Sequence, residues 1–253
     1  MFFKGSPGHG SMPYASDNAI VKAGKATARL IDYCDNKIPI TTEYLEHLAK
    51  GFGLNLFSRF MLTNKRTLAF TLRKLEKKNP AMAKFIHALS RMTISPNMTR
   101  GGTKINVIPA KASIDVDVRI LPGQDEKYVI THLKKALGDL ADEAEIETFT
   151  DAGGIHSYGN SNPASSDFVN AMEKAIQQII PNSTLVPFMG MGCSDARFFR
   201  ERNIPTYGFS LIDPEIPLNE LTDLVHGTNE RVNVKTVDLS IKAYYNLAKE
   251  FLG

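Results

Sequence analysis

The sequence predicts a mixed α/β protein in two parts: an antiparallel sheet with helices on one face, followed by alternating strands and helices. Three observations predict it. Residues 112–121, ASIDVDVRIL, alternate strictly, with Ile114, Val116, Val118 and Ile120 on one side and Asp115, Asp117 and Arg119 on the other, the pattern of a half-buried strand. Residues 125–140, DEKYVITHLKKALGDL, form an amphipathic helical pattern. Beyond DAGGIHSYGNSNPASS (151–166), apolar runs alternate with helical ones, the order of parallel β-α units.

The elements follow in order. MFFKG fits a short strand, and the Gly-, Ser- and Pro-rich GSPGHGSMPYAS fits a loop. DNAIVKAGKATARLIDYC reads as a helix capped by Ser16 or Asp17, with Ile20, Ala23, Thr27, Leu30 and Ile31 on its inner face. Residues 41–90, rich in Leu, Phe, Lys and Arg, read as several short helices. After the 112–121 strand come an LPGQ turn, the 125–140 helix and a strand AEIETFT. Setting aside the 41–90 insert, this is β-α-β-β-α-β, the ferredoxin-like order. Residues 1–150 are therefore expected to form one domain and 151–253 a second. In the second, a helix near 165–180, strands TLVPFM and IPTYGFS, a loop GMGCSDA, a short helix ARFFRER and a final helix VKTVDLSIKAYYNLAKEFL are expected. Two strands make a poor parallel sheet, so this part reads as half a domain.

Composition narrows the function. The chain has 253 residues, 43% hydrophobic, with a formal net charge of +3. No basic, aromatic-interleaved stripe stands out, which argues against nucleic acid. No apolar run reaches the ~20 residues of a membrane span, so no membrane partner is expected. Cys34 and Cys193 lack metal-site spacing and read as reduced thiols of a cytoplasmic protein.

Four features carry chemistry, and each admits a plainer reading. His226, followed by Gly227, Asn229 and Glu230, is a metal ligand or an ordinary loop histidine. A zinc site needs three or four protein ligands, and the chain has no His-x-Asp, His-x-x-x-His or Glu-Glu. His47, His87 and His132 fall in helical stretches and read as solvated; His156 lies in the boundary loop. GMGCSDARFF either offers backbone N–H groups of residues 192–195 to an anion or is a helix start capped by Ser194 or Asp195. Arg119 either forms a solvated cross-strand pair with a carboxylate or grips a substrate carboxylate. His9, between two glycines, is a loop residue or an exposed polarising group.

Taken in order, GSPGHGSMP…NAI, GGTKINVIPAKASIDVDVRILPG, GCSDARFFRERNIPTYGF and HGTNERV resemble the zinc peptidase family of acetylornithine deacetylase, succinyl-diaminopimelate desuccinylase, aminoacylase and glutamate carboxypeptidase. The resemblance implies a ferredoxin-like lid that dimerises, inserted in an α/β catalytic domain. It implies that residues 1–150 are the lid and 151–253 the C-terminal half of the catalytic domain. His226 matches the last zinc ligand. His9 matches the lid histidine that stabilises the oxyanion in the partner subunit's site. Asn106 and Arg119 match the pair that contacts the substrate carboxylate, and Gly192, Cys193 and Ser194 match the substrate-facing loop. Cys193 and Ser194 stand where Gly and Thr are common in that loop.

The resemblance also implies two zinc ions that activate a water, a peptide or N-acyl amino acid as substrate, and a homodimer. The general-base glutamate and the other metal ligands have no counterpart here, so the chain is expected to be a fragment of a metallopeptidase or deacylase, inactive alone. The alternatives are an inactive dimerisation module and one chain of a split enzyme.

Overall fold

The computed structural model describes residues 1–148, 161–190, 192, 194–217, 220 and 227–253. The chain forms two compact units: residues 1–39 with 91–160, and residues 40–90 with 161–253. The insert at 40–90 thus packs with the C-terminal segment, whereas the linear division at residue 150 kept it with the first part.

In the first unit, β1 (Phe2–Lys4), α1 (Ala19–Asn36), β3 (Thr93–Gly101), β5 (Lys111–Arg119), α6 (Glu126–Leu137) and β6 (Ala144–Glu145) follow the expected β-α-β-β-α-β order. The sheet runs β3-β5-β1-β6 with every neighbour antiparallel. β3 shifts register between Pro96 and Met98, because proline has no N–H for the ladder and is tolerated at a bulge. The alternation in β5 is realised: Ile114 is buried, and Val116, Val118 and Ile120 pack against the same core.

α1 lies on β1, β3 and β5 beside α6. Its buried face is Ala19, Ala23, Ala26, Leu30, Tyr33 and Cys34. Ile20 and Ile31, expected inside, are exposed. Three alanines let the helix approach the sheet closely, where Phe3 is fully buried. The cap is Asn18, whose side chain accepts from the Ile20 N–H at 2.9 Å. Asp17 instead pairs with Lys22 at 2.6 Å. Its carbonyl would lie 2.5 Å from a Cβ at position 5, so Gly5 is required there by space.

α6 starts at Asp125, whose carboxylate accepts from the Tyr128 N–H at 2.8 Å. Its inner face includes His132, Leu133, Ala136 and Leu137. His132 is therefore buried, not solvated: the helical period places it on the apolar side. The last strand is shorter than expected, pairing only at residues 144–145, and its end at 149–150 lies outside the described residues.

The second unit opens with four helices, α2 (Glu43–Gly51), α3 (Leu56–Thr63), α4 (Lys65–Lys78) and α5 (Pro80–Ser90). Asn55 and Asn64 cap α3 and α4 through their side chains, and Leu45, Leu68 and Leu89 centre their core. Phe188 stacks on Phe85 with ring centroids 5.5 Å apart, and Met189 packs against the same core. These contacts tie the insert to the C-terminal segment. There α7 (Asp167–Gln177), capped by Ser166, packs on the final helix α9 (Val234–Leu252), capped by Asn233, around Ala171, Met172, Ala175 and Leu247. A short helix, α8 (Ala196–Arg200), lies between them in sequence.

The expected strands 184–189 and 204–210 are not strands: neither pairs in a ladder among the described residues. Side chains meet the backbone of the second segment instead. Asn162 bonds both N–H and C=O of Thr206, Tyr244 donates to Phe209 O, and the Ser240 hydroxyl bonds both N–H and C=O of Leu211. An apolar alternating stretch becomes a strand only beside another strand's free edge.

Candidate functional site

Two of the candidate residues lie at a small ribbon, His9 on it and Asn106 in the turn that leads into it. β2 (Gly8–His9) pairs antiparallel with β4 (Val107–Ile108), His9 opposite Val107. The Gly5 N–H donates to Ala110 O at 2.8 Å, so the ribbon continues the β1–β5 pairing beyond the end of β1. The Gly10 N–H donates to Asn106 O at 2.7 Å, so the residue after His9 is bonded to the backbone of Asn106. A Cβ on Gly10 would lie 3.1–3.2 Å from the Asn106 backbone, so only glycine fits this approach without displacement.

His9 is exposed, and its ring is oriented locally. The Ser11 N–H donates to His9 Nδ1 at 3.2 Å, and the Ser11 hydroxyl lies 2.7 Å from the same atom. A backbone N–H can only donate, so neutral His9 carries its proton on Nε2. That leaves an Nε2–H donor available to a ligand. An open groove of about 480 Å³ runs beside the ribbon, lined in part by Gly10, Pro13, Gly101, Ile105 and Val107.

Arg119 sits elsewhere on the unit. Lys111, opposite Lys4, begins β5 on the ribbon side, and Arg119 ends it. Eight strand steps of ~3.3 Å put the two ends roughly 25 Å apart. The guanidinium grips Asp117 two residues back, Nε to Oδ1 at 2.8 Å and Nη2 to Oδ2 at 2.9 Å. Both side chains are about half exposed. The sequence offered a cross-strand partner; the structure gives a same-strand one, because residues two apart share a face of the sheet.

In the second unit Gly192 and Ser194 are exposed before α8. Neither Ser194 nor Asp195 caps that helix through its side chain: Asp195 is already helical, at φ −64° and ψ −11°. Ser194 contributes its carbonyl to the Arg197 N–H at 3.2 Å. Cys193 and His226 lie outside the described residues.

The base of the segment that holds His226 is closed by a residue the sequence reading passed over. Asp213 is 4% exposed. Its carboxylate accepts from the Glu215 N–H at 3.1 Å and from Asn233 Nδ2 at 2.9 Å, and pairs with Lys235 Nζ at 3.0 Å. These bonds, the one to the Glu215 N–H foremost, hold its pKa below the usual carboxylate value. The signal was the Asp213-Pro214 pair, a turn initiator. Ser11, two residues past a loop histidine, was passed over in the same way.

Among the described residues no group of three or more His, Cys, Asp or Glu is placed to hold a metal ion. No helix there is long and apolar enough to cross a membrane.

This antiparallel sheet, with both helices packed on it and an exposed ribbon at one end, matches the family model of a peptidase dimerisation domain over residues 1–145. The model of peptidase family M20/M25/M40 matches residues 75–250. The chain belongs to that family. It is 26% identical over 247 residues to the N-fatty-acyl-amino acid synthase/hydrolase PM20D1.1 of Danio rerio, covering 95% of this chain and 45% of the relative. It is 29% identical over 239 residues to the probable carboxypeptidase S-like 1 of Dictyostelium discoideum, covering 90% and 46%. The solved dipeptidase Dug1p of Saccharomyces cerevisiae superposes with a TM-score of 0.60 at 15% identity, over 98% of this chain and 52% of that one. The chain spans less than half the length of these two curated relatives.

Proposed function

We propose that this chain supplies the dimerisation lid (1–150, with its 41–90 insert) and the C-terminal part of the catalytic domain (151–253) of an amide hydrolase acting on peptides or N-acyl amino acids. Membership of the M20/M25/M40 family and the activities named for the relatives support the reaction class. The observation that carries the site is His9, an exposed imidazole on the ribbon of the dimerisation domain whose Nδ1 is held by Ser11, with Asn106 bonded through its carbonyl to the next residue, Gly10. His9, with its proton on Nε2, donates to the scissile carbonyl oxygen as that oxygen gains negative charge. Asn106, next to the ribbon, contacts the carboxylate side of the substrate, the role the resemblance gives it with Arg119. Arg119 exchanges Asp117 for the substrate carboxylate, a bidentate match. Since His9 and Asn106 lie at the opposite end of the sheet from Arg119, they serve a different site from it: each centre takes His9 and Asn106 from one subunit and Arg119 from the other.

Gly192, Cys193 and Ser194 face the substrate in this reading. Zinc is the metal it implies, two ions in the complete enzyme, which would supply an activated water, with His226 the ligand from this chain. The described residues do not by themselves make such a site, and groups beyond this chain would complete it. Cytoplasmic residence belongs to the same reading, supported by the free, buried thiol of Cys34.

The test is hydrolysis of N-acyl amino acids and dipeptides by the complete assembly. His9→Ala should lower kcat ~100- to 1,000-fold with little change in KM, the mark of an interaction made in the transition state. Turnover unchanged by His9→Ala would refute the assignment.

A further inference from the structure

The insert is strongly basic. Residues 41–90 hold nine Lys and Arg against three Glu, a net +6, while the whole chain carries +3. The same segment displays large apolar side chains. Leu56 is 85% exposed, Phe57 73%, Phe60 54%, Phe70 53% and Phe52 51%. On α3, Leu56, Phe57 and Phe60 share the side opposite buried Leu62, as the helical period requires. A single residue, Asn64, separates α3 from α4. On α4 the cations Arg66, Arg73, Lys74 and Lys77 are exposed around Phe70, with Lys74 Nζ 4.5 Å from that ring's centroid.

We propose that α3 and the start of α4 dock on an anionic lipid bilayer surface, with Leu56, Phe57 and Phe60 entering the headgroup–acyl boundary and Arg66, Arg73, Lys74 and Lys77 facing lipid anions. Apolar and aromatic side chains flanked by cations on short helices are what an interfacial, non-spanning element requires. The charge selects this occupant over a second copy. Two +6 segments repel, and lysine is depleted at the centre of protein interfaces. A helix that does not cross the bilayer is consistent with such a surface, and no described helix is apolar enough to cross. The inference stands independently of the hydrolase reading.

The chain contains no tryptophan, so Phe57→Trp installs a unique reporter. The full chain is floated with phosphatidylcholine vesicles, with and without phosphatidylserine, at low and physiological salt. The expected result is binding to the anionic vesicles at least ~10-fold stronger than to the neutral ones, weakened by salt. The introduced indole should shift its emission to the blue and be quenched by brominated lipid. Leu56→Ser/Phe57→Ser/Phe60→Ser and Arg66→Glu/Arg73→Glu/Lys77→Glu should each lower binding ~10-fold or more. All six positions are exposed, so the helices lose no core contact, and circular dichroism checks that they persist. No preference for anionic vesicles, or an indole whose emission ignores them, overturns the proposal. So does an oligomer that the triple Ser variant dissociates while flotation stays unchanged, which makes the face a protein interface.

Discussion

The Gly10 N–H donates to the Asn106 carbonyl at 2.7 Å, which joins the residue after His9 to Asn106, while Arg119 ends the far side of β5. In a dimeric, active assembly this predicts which variants rescue each other. His9→Ala mixed with Asn106→Ala should recover no activity, since both lesions fall on the same contribution to a site. His9→Ala mixed with Arg119→Ala should recover roughly a quarter of wild-type activity: half the dimers are mixed and each has one intact site of two. Recovery in the first mixture would show that the two residues serve different sites.

Ser11 sets the tautomer of His9 through its N–H at 3.2 Å and its hydroxyl at 2.7 Å from Nδ1. Nitrogen NMR of labelled imidazole at neutral pH should find the His9 proton on Nε2. Ser11→Ala removes one donor and should raise the Nδ1–H population, lowering kcat more than it changes KM. A predominant Nδ1–H form in the wild type would contradict the arrangement.

Asp213 joins Glu215, Asn233 and Lys235, and these bonds lower its pKa. A carboxyl with a depressed folded pKa contributes stability above its unfolded value of ~3.9 and loses it as pH falls through the folded value. The clasp should therefore hold at neutral pH and open in acid. Hydrogen exchange at residues 211–216 and 233–236 should quicken in Asp213→Asn at neutral pH and show a flatter acid dependence. An unchanged pattern would mean that the carboxylate does not hold this base.

His132 bonds the Tyr33 hydroxyl through Nδ1 at 2.7 Å and lies 4.3 Å, centroid to centroid, from the Tyr128 ring. Burial, then Lys135, lowers its pKa. A histidine with a depressed folded pKa binds more protons unfolded than folded, so stability falls as pH drops below ~6.5. Thermal melts from pH 7.5 to 5 should show that slope, reduced in His132→Gln. Tyr33→Phe, which strands the imidazole nitrogen, should cost about 1–2 kcal/mol at pH 7.5.

Regular periodicity was readable wherever one residue set determined one face. β5, α6 and α9 fall where their patterns put them. α1 was placed, with Ala23 and Leu30 inside as expected, but Ala19 and Ala26 complete its packing face while the larger Ile20 and Ile31 point outward. Its cap was misplaced among three adjacent polar residues, since only the fold shows that Asp17 is engaged by Lys22. Segments 184–189 and 204–210 have strand-like composition, but pairing is a property of the neighbour. Of the candidate site, the residue types were legible. The approach of Asn106 to Gly10, the residue after His9 and 96 positions away, depends on β2–β4 pairing that no local pattern announces.

The sheet order places β1, made first, between β5 and β6, made last. Its partner in β5 lies more than a hundred residues away, Phe2 opposite Ser113, so the two cannot meet until the whole insert has left the ribosome. The insert's helices bury Leu45, Leu68 and Leu89 largely among themselves and can settle in that interval. Synthesis thus runs ahead of topology: β1 waits, unpaired, for β5, and a pause or cleavage before residue 119 would strand an apolar edge in search of any other partner.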